Sequence, residues 1–328
     1  MFRSFSSSEI VEGDVATELA KIAPNSVQLI LTSPPYNIGK IYERGEKRSL
    51  EEYLEWIEPV AAALVAKLAP GGSLCWQVGN YVKDGELFPL DAFFYQIFRT
   101  NKLNLRNRII WRFNFGLHAQ RRLSGRYETL LWFTKGDNYT FNLDNIRVPQ
   151  LYPGKLHPSS KGGRAGTPSG NPLGKNPSDI WEFSAEQAFL NDTIWELPNV
   201  KANHPEKTEH PCQFPSELAE RCVLAFSKEG DVVLDPFSGA GTTVIAATGH
   251  GRIGVGIDKS ADYVSLSRER LSAFRKGGLP LRRAGMPTRR PRDTEKVARV
   301  PDAWLNLGLG PSGGGIDVKE NQEDKDSN

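Results

Sequence analysis

The chain has 328 residues and carries 41 Lys and Arg against 39 Asp and Glu, so a net charge of +2 does not by itself announce a polyanionic partner. Apolar residues make up 39% and charged residues 24%, the balance of a soluble globular protein built as one large α/β domain with insertions or as two domains. Cys75, Cys212 and Cys222 form no CxxC pair, which argues against a disulfide framework or structural zinc and for a reducing compartment, and neither a signal peptide nor a membrane span of ~20 apolar residues is evident.

Asp14 is placed to cap a helix carrying Leu19 and Ile22. In "VQLILT" Val27, Leu29 and Leu31 alternate and Ile30 fills the other face, which predicts a strand buried on both sides. Ser49 with Glu52 forms a capping box. The helix it opens carries Leu54, Ile57, Ala61, Leu64, Val65 and Leu68 at helical spacing, and Pro59 is expected to kink it. "GGSLCWQVG", "RNRIIWRFNFG" and "TLLWFTKG" read as further strands.

Composition changes near residue 145. From Asn145 to Ser178 there is no Asp or Glu, while Arg147, Lys155, Lys161, Arg164 and Lys175 stand among prolines and glycines. Such a span is too rich in breakers for a regular layer, and its charge suits a polyanion. Order returns with a helix from Ser216 carrying Leu218, Ala219, Cys222, Val223 and Phe226. The strand "VVLD", the turn "PFSGAG", the helix "TTVIAATG" and the strand "RIGVGID" then make a βαβ unit. Residues 275 to 299 hold nine Lys and Arg and the end is Gly-rich, so 276–328 reads as a disordered tail.

Two centres carry chemistry. In "VVLDPFSGAGTTV" a buried strand ends in Asp235, and Gly239 and Gly241 let the backbone approach a ligand. Asp258 ends the next strand 23 residues later, the spacing at which an acid accepts from ribose hydroxyls. The third glycine of a nicotinamide site is missing, as is the Gly-Lys-Ser/Thr of a P-loop, which leaves an adenosine-like ligand with little phosphate. In "LTSPPYN" two prolines fix the backbone and leave their carbonyls as acceptors, Ser33 adds a hydroxyl, and Tyr36 offers a flat face. Acceptors beside an aromatic platform suit the exocyclic amine of a stacked base.

Together the two stretches resemble the amino-methylating DNA methyltransferases, which modify cytosine N4 or adenine N6. "DPFSGAGTT" looks like that family's cofactor motif and "LTSPPYN" like its catalytic motif, in the order of the β group. "EGD" ending in Asp14, "GRYETLLWFTKGDNYTF" and "HPCQFP" resemble accompanying elements, and the likeness spans roughly residues 9 to 273. It implies a Rossmann-like S-adenosylmethionine-dependent methyltransferase fold: a mostly parallel twisted sheet, helices on both faces, and an irregular target-recognition insertion. The implied segments are a catalytic half at 9–144, the insertion at 145–205, a cofactor-binding half at 206–275 and the tail.

The resemblance also implies roles. S-adenosyl-L-methionine is the cofactor, with Asp235, Phe237, Ser238, Gly239, Gly241, Thr242 and Thr243 around its methionine part, Asp258 on the ribose and Asp14 at the adenine. His210, Gln213 and Pro215 line the amino-acid end. Ser33, Pro34, Pro35 and Tyr36 hold the target amine and base, with no metal. Double-stranded DNA is the partner, gripped by Arg112, Arg121, Arg122, Arg126, Lys155, Lys161, Arg164 and Lys175, with Arg106 and Arg108 as further candidates. A cytoplasmic, prokaryotic-type enzyme follows, monomer or homodimer, with a cognate restriction endonuclease acting separately. Two departures stand out: Phe214 replaces a lysine, and the Pro211–Cys212 pair resembles the cytosine-C5 nucleophile but lies within the cofactor element. Serine at position 33 tilts the target toward cytosine N4, and adenine N6 is the near alternative.

Overall fold

The computed structural model describes residues 2–36, 48–113, 118–148, 150, 154–158, 164–181, 206–209 and 213–281, all within one compact unit spanning Met1–Pro287. His210, Lys161, Cys212 and the tail beyond 281 lie outside the described residues.

Ten strands and six helices are described: β1 (Glu9–Glu12), α1 (Val15–Ala20), β2 (Val27–Thr32), α2 (Leu50–Lys67), β3 (Leu68–Val78), β4 (Asn80–Lys83), β5 (Glu86–Pro89), α3 (Leu90–Thr100), β6 (Asn104–Arg112), β7 (Tyr127–Thr134), β8 (Ile180–Trp181), α4 (Ser216–Phe226), β9 (Val232–Asp235), α5 (Thr242–Gly249), β10 (Ile253–Asp258) and α6 (Ala261–Arg275). Eight strands form one sheet in the order β1-β10-β9-β2-β3-β7-β6-β8, and β4 and β5 pair as a separate hairpin. From β1 to β3 the pairing is parallel, and β7 runs antiparallel to both β3 and β6.

Side-chain alternation sorts the core into two layers. Ile30, Leu74, Trp76, Leu131 and Phe133 pack with residues of α1, α2 and α3 on one face. Leu29, Leu31, Cys75, Leu130 and Trp132 pack with α4 and α5 on the other. α6 joins α5 around Ile10 and Val264. The sheet is thus covered on both faces, which is why β2 and β9 carry apolar residues on both faces, Leu29, Ile30 and Leu31 in one and Val232, Val233 and Leu234 in the other. Val27 is the exception to the expected alternation. A register shift between Val27 and Leu29 turns it to the same layer as Ile30.

The Ser49 capping box forms as expected, Glu52 N–H donating to Ser49 Oγ at 3.1 Å and Ser49 N–H to Glu52 Oε2 at 2.7 Å. α2 continues as one helix through Pro59. The span 145–178 holds no regular layer among its described residues, only the end of a 3₁₀ turn at Leu143–Ile146 and isolated bridges such as Val148 to Lys175. No described helix is long and apolar enough to cross a membrane.

Candidate active site

Parallel strands send their C-terminal ends to one edge of the sheet. Read across that edge, β1 leads to Asp14, β10 ends at Asp258, β9 ends at Asp235 and β2 leads to Ser33. β9 and β2 are the point where the strand order reverses, the place where an open α/β sheet leaves a crevice. The two chemical centres, some 200 residues apart in sequence, meet there: Thr32 Oγ1 donates to Asp235 Oδ1 at 2.6 Å. Three strand steps of about 4.8 Å separate β1 from β2, so the row of acids extends about 14 Å. That is room for a nucleoside bearing an amino-acid arm.

The Gly-rich turn is shaped by its surroundings. Gly241 has φ of 75°, and a Cβ there would stand 2.9 Å from Ser267 Cβ on α6. Gly256 in β10 is needed for a different reason, since its Cβ would come 2.4 Å from Ser238 Oγ. These two positions let the turn lie flat against the sheet. Ser238 N–H donates to Ile257 O at 2.9 Å, and Gly239 N–H to Asp258 Oδ2 at 2.8 Å. Asp258 Oδ1 accepts from Ser260 N–H at 2.9 Å. Gly13 N–H donates to Asp258 O at 2.9 Å, which draws Asp14 up beside Asp258. Asp14 caps α1, accepting from Ala16 N–H at 3.0 Å, and stays exposed at the edge.

Asp235 is 1% exposed. Burial pushes its carboxyl up from 3.8 to about 6, against hydrogen bonds from Thr32, Thr243 and the Phe237 N–H that favour the anion. Burial also raises Asp258, offset by the N–H groups of Ser260 and Gly239. Both shifts describe acids that gain from a cationic or hydroxyl-rich ligand. Ser238 Oγ and Thr242 Oγ1 are buried beside the turn without a hydrogen-bond partner, and two orphaned hydroxyls suit a ligand that brings acceptors. Phe237 extends the wall toward Trp56 and Trp76, ring centroids 6.2 and 6.4 Å away. A sulfonium nucleoside with an amino-acid end fits this set.

The catalytic turn is braced from three sides. Tyr53 Oη donates to Pro35 O at 2.7 Å, tying the turn to α2. Pro34 is buried and Pro35 half-buried. Ser33 Oγ and Tyr36 Oη lie 2.8 Å apart, and Tyr36 Oη donates to Glu128 Oε2 at 3.4 Å. Gln77 Nε2 donates to the same Glu128 oxygen. Tyr36 is 6% exposed, its ring held against Gly79 and Glu128. Glu128 lies in the "GRYETLLWFTKGDNYTF" element and Gln77 in the "GGSLCWQVG" strand, and the sequence assigned a role to neither. They reach the turn because antiparallel β3–β7 pairing sets Val78 opposite Thr129.

The other expected residues divide. Gln213 is buried and bonded within its own segment, donating to Glu206 O at 3.0 Å and accepting from Thr208 Oγ1 at 2.9 Å. Pro215 stands at the start of α4. Arg112, Arg121, Arg122 and Arg126 lie at or beyond the β6–β7 end of the same edge as Ser33. Lys155 and Arg164 are exposed and Lys175 half-buried. Arg106 and Arg108 have partners within the sheet. Arg106 pairs with Asp137 at 2.7 Å and packs over Tyr139 toward the opposite edge, and Arg108 pairs with buried Asp91 at 2.5 Å. Both brace the sheet.

The family profile for N6/N4 methyltransferases, described as DNA methylase, matches residues 27–269. This chain belongs to that family. A type II methyltransferase, M.BglII of Bacillus subtilis, is 44% identical over 80% of this chain and 69% of its own length. The DNA adenine methyltransferase YhdJ of Escherichia coli is 31% identical over 80% of this chain and 82% of its own. Among solved structures, a DNA modification methylase of Thermus thermophilus complexed with S-adenosyl-L-methionine shares 28% identity and a TM-score of 0.53, covering 81% of this chain and 95% of that one. The PvuII cytosine-N4 methyltransferase overlays with a TM-score of 0.60 at 18% identity, covering 84% and 96% of the two chains, a likeness of fold. The protein is therefore an S-adenosylmethionine-dependent DNA amino-methyltransferase with the family's Rossmann-like sheet.

Proposed function

We propose that this enzyme methylates the exocyclic N4 of cytosine in double-stranded DNA, as the protecting partner of a restriction endonuclease. The observation that carries the choice of base is Ser33. An uncharged hydroxyl heads the Pro-Pro-Tyr turn, held 2.8 Å from Tyr36 Oη, where an acid would present a fixed negative charge. The type II names of the relatives support the restriction–modification setting.

In this reading Ser33 Oγ and the Pro34 carbonyl accept from the target amine and favour a more tetrahedral nitrogen, its lone pair turned along the crevice toward Asp235. The cofactor supplies a sulfonium methyl, electrophilic enough that alignment is the main catalytic need. Asp235 lies where a positive charge lowers its own cost of burial, Asp258 accepts from the ribose hydroxyls, and Asp14 stands at the adenine end. The Ser238 and Thr242 hydroxyls, buried without a partner beside the turn, would be satisfied by acceptors of the amino-acid arm. The Tyr36 ring would stack on the extruded base. The test is to incubate purified enzyme and labelled cofactor with unmethylated DNA, then digest and separate the nucleosides. Label in N4-methylcytosine supports the reading.

N6-adenine is the second reading, favoured by the 31% identity to a DNA adenine methyltransferase. Label in N6-methyladenine selects it.

A further inference from the structure

We propose that Leu123 is a wedge that enters the DNA stack and fills the gap left by the extruded target base. This rests on DNA methylation by the family and applies equally to cytosine or adenine.

Leu123 is 93% exposed, more than any other large apolar side chain among the described residues. Its neighbours in "QRRLSGR" are Arg121, Arg122 and Arg126. A side chain so exposed contributes almost nothing to folding, so stability gives no account of a leucine there. The segment carrying it is held in shape. Phe113 N–H donates to Arg126 O at 2.9 Å, closing the loop at its base, and Ala119 N–H donates to Ser124 Oγ at 3.1 Å. The Arg122 guanidinium donates to Leu123 O at 3.3 Å and that of Arg126 to Gly125 O at 3.0 Å.

Position supplies the second argument. The loop leaves the end of β6 and enters β7 at the same sheet edge as Ser33 and Asp235. Five residues after Leu123 comes Glu128, which accepts from the Tyr36 hydroxyl at 3.4 Å. That chain length limits the separation of the two backbones to about 17 Å. The wedge therefore sits on the hairpin whose Glu128 holds the Tyr36 hydroxyl of the pocket for the base. Arginines around a single apolar tip suit a groove whose walls are phosphates and whose floor is stacked bases. Pulling a base out leaves apolar faces against water, and a leucine in the gap removes that contact.

The test uses the full chain, Leu123→Ala, and two duplexes carrying the enzyme's methylation site with 2-aminopurine beside the target. In one the target is paired, and in the other it faces an abasic position, so extrusion is already cheap. On the paired duplex the variant should lose on the order of 10- to 100-fold in single-turnover methylation and most of the fluorescence rise. On the abasic duplex it should recover to near wild-type rates. The dependence of DNA binding on salt should match wild type, whereas Arg122→Ala should flatten it. Wild-type rates on the paired duplex, or an equal loss on both, overturn the proposal and leave a protein contact or a loop-folding role for Leu123. A wild-type chain that methylates no DNA would sink the family reading and the wedge together, a result distinct from an indifferent variant.

Discussion

Cofactor affinity should fall as the medium is acidified, because the crevice is floored by a carboxyl that must be ionised to attract a cation. Asp235 titrates at about 6 in the free protein, raised from 3.8 by burial. A sulfonium nearby should return it to its ordinary range. With a free value of about 6 and a bound value near 3.8, linkage predicts an apparent Kd about tenfold higher at pH 5 than at pH 7. The sign is fixed by direction: the free enzyme binds the extra proton, so binding releases one. Calorimetric titration in buffers of different ionisation heat measures both the affinity and the released proton. Thr32→Val removes the 2.6 Å hydrogen bond that favours the anion, so it should move the midpoint upward. Asp235→Asn should flatten the profile, leaving only the slope contributed by Asp258. It should also stabilise the cofactor-free protein above pH 6, where burying the charged group costs up to about 3 kcal/mol. That cost disappears as pH falls below 3.8, where both folded and unfolded states hold the proton. An affinity flat between pH 5 and 8, or an unchanged slope in Asp235→Asn, would refute this account of the crevice.

Tyr36→Ala should lose on the order of 100-fold in turnover with cofactor affinity nearly unchanged, and the cavity should lower stability by about 3 kcal/mol, read by urea unfolding. Tyr36→Phe separates the roles: it keeps the ring and the fold but releases Ser33, so a loss confined to kcat identifies the hydroxyl as the positioning group. Glu128→Gln should lower kcat by roughly 10-fold and leave the cofactor Kd nearly unchanged, since it holds the Tyr36 hydroxyl and Gln77 on the base side of the crevice. Gly241→Ala combines a positive φ with a Cβ 2.9 Å from Ser267, so it should cost about 2 kcal/mol or more and weaken cofactor binding with it.

Much of the crevice was legible because its signals are local. Two-sided apolar strands, an acid at each strand end and glycines in the turn between them are neighbours in sequence, and the observed β9–α5–β10 unit follows them closely. The meeting of Ser33 with Asp235 was legible only through the resemblance, since nothing local links residues so far apart. The role of Glu128, inside the quoted "GRYETLLWFTKGDNYTF", was illegible for the same reason: it depends on the register of an antiparallel pair. α3 was missed because it opens on Pro89 with no side-chain cap. The β4–β5 hairpin was missed despite an Asp84–Gly85 turn with φ of 52° and 88°, a signal that was present. The ion pairs of Arg106 and Arg108 were not legible because composition counts charges and does not show their partners. Asp137 and Asp91 become neighbours only after the sheet forms.

The central claim is that the Ser33 turn presents a cytosine amine to the methyl donor. The most direct measurement is mass spectrometry of nucleosides from the DNA of cells that express this chain, compared with cells that express Ser33→Ala. The account predicts N4-methylcytosine in the first and its loss or near-loss in the second. N6-methyladenine in its place, or no methylated nucleoside from an abundant folded protein, would contradict it.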